Sequence, residues 1–97
     1  MIRPEVQAMT ETVIEMRRDF HRHPELGFQE FRTSAKVAEF LRQSGLEPTE
    51  GIAVTGVTAE IRGQQPGPTL MLRADMDALP IEEETDLEFA SRESGKM

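Results

Sequence analysis

Cysteine is absent from these 97 residues, so neither a disulfide framework nor a thiolate metal site can form within them. Tryptophan and tyrosine are absent too, and five phenylalanines supply every aromatic anchor. A core built from so few large residues is thin, and a chain this short buries a smaller share of its surface than a full enzyme domain does. No apolar run approaches the ~20 residues needed to cross a bilayer. Glu5, Glu11 and Glu15 interrupt the early segment, so no apolar signal-peptide region is expected there. Basic residues are the scarcer sign: 11 Lys and Arg against 18 Asp and Glu leave a formal net charge of −7. Neither nucleic acid nor an anionic membrane attracts such a chain, so neither is expected as a partner. No Gly-rich phosphate loop occurs, and Ser34, Ser44, Ser91 and Ser94 lie in no nucleophile-elbow context. The expectation is a soluble, cytoplasmic protein.

What is present is a globular balance, 37% hydrophobic and 30% charged. Val6, Met9, Val13, Met16 and Phe20 recur at gaps of three and four, which predicts one helix from about Pro4 to Arg22. Pro4 suits a first helical turn, and Pro24 disfavours helical geometry at His23 and marks the stop. Phe31, Ala35, Ala38 and Leu41, widened by Val37 and Phe40, predict a second helix from about Glu30 to Ser44. Gly45 sits where a left-handed cap is expected. The short link between the helices makes them neighbours.

From Leu46 the period changes. Val57, Ala59 and Ile61 alternate with Thr58 and Glu60, and a turn-rich stretch from Gly63 to Pro68 leads to a second strand, Thr69 to Asp75. The fold class expected is therefore α/β, two helices followed by a β-hairpin, with no boundary that marks a second domain. The second strand is near-continuously apolar, which asks for cover on both faces and neighbours on both sides. Two helices and one hairpin cannot supply that. An open edge of this kind invites pairing with another chain, so a homo-oligomer is one expectation.

Chemistry concentrates in Arg73-Ala74-Asp75-Met76-Asp77-Ala78-Leu79-Pro80. Asp75 and Asp77 are two apart at a strand end, so extended geometry turns both carboxylates to one side. Such a pair can serve one site as ligand or as orienter of a ligand. It can equally be an Arg73–Asp75 ion pair beside a loop cap made by Asp77. His21 and His23, two apart on a helix, point in different directions and do not converge on one ion. Capping of a helix C-terminus, or local packing, is their expected use. The acidic run Glu82, Glu83, Glu84, Asp86 and Glu88 lacks calcium-loop spacing and reads as a solvated loop.

Three stretches together resemble one family: Arg17 to Phe28 (RRDFHRHPELGF), the Thr33-to-Leu41 helix, and Leu72 to Glu83 (LRADMDALPIEE). The resemblance is to the zinc-peptidase-like amidohydrolases that include hippurate hydrolase, aminoacylases and the indole-acetyl-amino-acid hydrolases. It implies the start of a metallohydrolase catalytic domain with a mixed sheet, residues 1–97 being its N-terminal part, and an inserted dimerisation domain elsewhere. It implies hydrolysis of N-acyl amino acids with one or two divalent metals such as zinc, manganese, nickel or cobalt, the metal activating a water and polarising the carbonyl. Asp77 matches the family aspartate that orients a metal ligand. Asp75 stands where more distant relatives place a ligating His, and it is the second candidate. In relatives the Ser-x-x-Gly-x-Met stretch leads into His-Ala-Cys-Gly-His-Asp, whose ligands would follow Met97. The segment alone is therefore expected to bind no metal and to be inactive. The alternative from another class is a non-catalytic module, or truncated product, that self-associates through its exposed strand edge.

Overall fold

The computed structural model describes all residues, Met1–Met97. Its elements run α1 (Pro4–Gln7), α2 (Thr10–Arg22), α3 (Phe31–Gln43), β1 (Thr49–Ile52) and β2 (Gly56–Thr58). The class is α/β, with three helices and one two-stranded antiparallel ladder. Two compact units divide the chain. One combines Met1–Pro24 with Ala78–Met97, and the other is Glu25–Asp77. No helix is long and apolar enough to cross a membrane.

The single helix expected over 4–22 is broken in two. At the break the Met9 amide bonds the Val6 carbonyl three residues back, and the Thr10 hydroxyl donates to the Gln7 carbonyl at 2.7 Å. A side chain that competes for helical carbonyls in this way loosens a helix. Nothing opposes it here, because Val6, Met9 and Val13 are exposed. Pro4 does open α1, and α2 does stop before Pro24, with His23 out of helical geometry at φ −124° and ψ 60°.

In α3 the expected C-terminal cap forms. Gly45 adopts φ +86°, its amide bonds the Arg42 carbonyl at 3.0 Å, and the Leu46 amide bonds the Leu41 carbonyl at 3.0 Å. This is the paired-bond ending that favours glycine. The buried face differs from the predicted stripe. Phe31 and Ala35 are exposed, whereas Thr33, Ser34 and Ala38 are buried. The reason lies in the loop before the helix, where Glu25 draws Thr33 inward through three hydrogen bonds from the helix start.

The hairpin occupies a different place from the one predicted. Thr49 pairs with Thr58 and Ile52 with Gly56, so only the start of the expected 57–61 strand is used. Residues 69–75 carry no ladder, and Leu70, Met71 and Leu72 stand 81–87% exposed. The turn at Ala53-Val54-Thr55 places Ala53 at φ 47° and Val54 at φ 81°, conformations that glycine adopts far more readily. Gly56 is required, because a Cβ there would lie 2.5 Å from the Ile52 carbonyl oxygen.

Candidate functional site

Within the unit Glu25–Asp77, an open cleft of about 310 Å³ lies among Gly27, Phe28, Glu30, Thr55, Asp75 and Asp77. One wall is built by Glu30, which is buried although it is a carboxylate. Its Oε1 accepts the Phe28 amide at 2.8 Å and its Oε2 accepts the Thr55 hydroxyl, so both oxygens are satisfied. Burial of a charge is tolerated only with such partners. Glu30 thereby ties the strained hairpin turn to the start of α3. Phe28 closes the same corner at φ 64°, a backbone setting rare for an aromatic residue.

The acidic pair lines the same cleft. Asp75 accepts an ion pair from the Arg73 guanidinium at 2.9 Å, and both side chains are largely exposed. Exposed pairs of this kind contribute little stability. Asp77 is exposed at the cleft, with Oδ2 3.9 Å from the point where a side chain on Gly27 would begin. The cleft thus holds both acidic candidates, while Asp75 is engaged by Arg73. Nowhere do three or more His, Asp or Glu side chains form a group that could hold a metal ion.

In the other unit, the two imidazoles go separate ways. His23 Nδ1 donates to the Asp19 carbonyl at 3.0 Å, so it serves the last turn of α2 as expected of a residue near a helix end. His21 does not cap the helix. Its Nε2 donates to Glu83 Oε1 at 2.8 Å, and its ring meets the Phe89 ring edge-on with centroids 5.7 Å apart.

Glu83 overturns the picture of a uniformly solvated acidic run, because its side chain is only 5% exposed. It accepts the Thr85 hydroxyl and the Ser91 amide besides His21. The Thr85 and Ser91 hydrogen bonds, with smaller help from His21, hold its carboxyl below the usual carboxylate range against the effect of burial. Glu25 and Glu30 lie in no motif that would mark them as site residues. The faint signal was position: each carboxylate stands just before an apolar periodic run, where helix amides lack partners.

No family model matches the chain. Individual relatives do. It is 48% identical over 97 residues to thermostable carboxypeptidase 1 of Saccharolobus solfataricus, covering 99% of this chain and 25% of that protein. It is 49% identical over 86 residues to N-acetylcysteine deacetylase of Bacillus subtilis, covering 88% of this chain and 23% of that protein. Among solved structures, a dinuclear metal-binding peptidase of the M20 family from Bacillus subtilis superposes with a TM-score of 0.87 at 47% identity, over 94% of this chain and 26% of that one. The chain spans about a quarter of the length of the curated relatives it matches. Over nearly its whole length, this chain matches the N-terminal part of members of the M20 family of peptidases and amidohydrolases.

Proposed function

We propose that residues 1–97 are the N-terminal part of the catalytic domain of a divalent-metal-dependent amidohydrolase that cleaves N-acyl amino acids. The observation that carries this reading is the match of nearly the whole chain to relatives named as a carboxypeptidase and an N-acetylcysteine deacetylase. Both names describe one bond, an amide on the nitrogen of an amino acid. The similar solved structure is described as binding two metals, which supports a metal cofactor; on this proposal it is a divalent ion such as zinc, manganese, nickel or cobalt. The remaining catalytic residues and an inserted dimerisation domain belong, on this proposal, to polypeptide outside these residues.

Asp77 is the residue of this chain assigned to that site. It is a positioning carboxylate that holds a metal ligand supplied from elsewhere, and such partners are commonly worth about 10–100-fold in metal affinity or activity. Asp75 takes a lesser part, because Arg73 already occupies it. The test is a chimera in which residues 1–97 replace the matching quarter of the Bacillus subtilis N-acetylcysteine deacetylase. The expected result is chelator-sensitive hydrolysis of N-acetylcysteine, with Asp77→Asn reducing kcat about 10–100-fold and the 97-residue chain alone giving no turnover. A folded, metal-loaded chimera without amidase activity would refute the proposal, as would metal-dependent turnover by the isolated chain.

A second reading has one observation in its favour. The run Leu70-Met71-Leu72 is highly exposed, and its backbone makes no hydrogen bond to other main chain. An unpaired apolar segment of this kind is a template for pairing with a second copy of the chain.

A further inference from the structure

We propose that His21 is a positioning residue that clasps the segment 83–92 to the last turns of α2 through Glu83. This role goes beyond amide hydrolysis and does not depend on it. It also gives a purpose to the first imidazole of His21-Arg22-His23, which neither metal binding nor helix capping explains.

The geometry has three parts. Glu83 gathers donors from two separate pieces of chain: Thr85 and Ser91 from its own segment, and His21 Nε2 at 2.8 Å from α2. Phe89 packs edge-on against the His21 ring and lies 4.8 Å beneath the Arg18 guanidinium. The Arg92 amide donates to the Arg22 carbonyl at 2.8 Å and so supplies a partner at the α2 terminus, where carbonyls lack helical ones. Arg18, His21 and Arg22 are three and four apart, so one face of α2 makes all these contacts. The charged or titratable side chains that make these contacts are Arg18 and His21 from the helix and Glu83 from the segment.

An exposed His–Glu pair would contribute little. This one differs, because the side chains are only 23% and 5% exposed and the carboxylate oxygens are filled from several directions. Glu83 shapes its own segment whether or not His21 is present, through Thr85 and Ser91. The imidazole adds the link to the helix. Removing it should therefore release an otherwise intact loop rather than unfold it.

Hydrogen exchange read by mass spectrometry on the protein carrying the full chain tests this, comparing peptides over 83–92 with peptides over α3. In His21→Ala, amides of 83–92 should exchange about tenfold faster while α3 is unchanged, since one charge-assisted hydrogen bond is lost locally. In His21→Gln, whose side-chain amide offers a donor near the Nε2 position, most of the protection should return. Unchanged exchange in His21→Ala, or equal loss of protection in both variants, would overturn the clasp.

Discussion

Glu25 illustrates how one side chain can set the start of a helix from a distance. The residue at the N-cap of α3, Glu30, makes no capping bond, because its carboxylate is engaged by Phe28 and Thr55. Glu25 takes over. Its Oε1 accepts the Thr33 amide at 2.6 Å and the Thr33 hydroxyl at 2.7 Å, and its Oε2 accepts the Arg32 amide at 3.0 Å. Those amides belong to the first turn, where helical partners are lacking and the helix dipole favours negative charge. Burial pushes the Glu25 carboxyl up, but the Thr33 and Arg32 hydrogen bonds and the Arg32 charge together hold it below the usual carboxylate range. A depressed folded value makes the stabilisation complete above the unfolded pKa, and it is lost as pH falls through the folded one. Glu25→Gln should cost about 1 kcal/mol at neutral pH, a typical value for a lost cap. It should also flatten the acid limb of stability between those two pKa values. Thermal melts across the acid range check both points, and an unchanged acid limb in the variant would count against the assignment.

At the scale of elements, the hairpin shows what local pattern misses. Alternation over 57–61 and 69–75 promised a ladder, yet pairing formed between Thr49–Ile52 and Gly56–Thr58. The turn that joins them uses Ala53 and Val54 in left-handed geometry, and neither residue type announces a turn. Glu30 clamps the turn through the buried Thr55 hydroxyl, so a long-range contact overrides local preference. Two substitutions separate the effects. Gly56→Ala forces a Cβ against the Ile52 carbonyl and should destabilise by about 1–3 kcal/mol, the usual cost of overpacking. Val54→Gly removes a left-handed β-branched residue and should be neutral or stabilising by about 1 kcal/mol. Paired urea denaturation curves read the difference, and destabilisation by both substitutions would contradict this turn geometry.

The whole molecule is poor in core. Ala38 is its only buried hydrophobic residue, while Leu70, Met71, Leu72 and Ile61 are more than four-fifths exposed. Burial of apolar area is the main favourable term in folding, and the entropy of ordering the backbone opposes it at about 1–2 kcal/mol per residue. So small a core cannot balance that cost with a wide margin. In isolation the chain should therefore associate as its concentration rises, in sedimentation velocity, and unfold over a broad temperature range. Leu72→Lys should shift the sedimentation profile toward monomer by placing charge on the unpaired segment. A monodisperse monomer with a sharp, cooperative transition would exclude this account, together with the self-pairing reading.

Composition and order alone determined the α/β class, the stop at Pro24, the glycine cap at Gly45 and the family likeness. These rest on local steric rules and contiguous residues, which act wherever the chain goes. Only the tertiary structure decided which face of α3 is buried, where the ladder forms, and that Glu83 is a fastening point rather than a solvated charge. Each of those outcomes depends on hydrogen-bonding partners 8, 25 or 62 positions away. No local pattern encodes such partners, because a carboxylate's environment is set by the donors that folding brings to it.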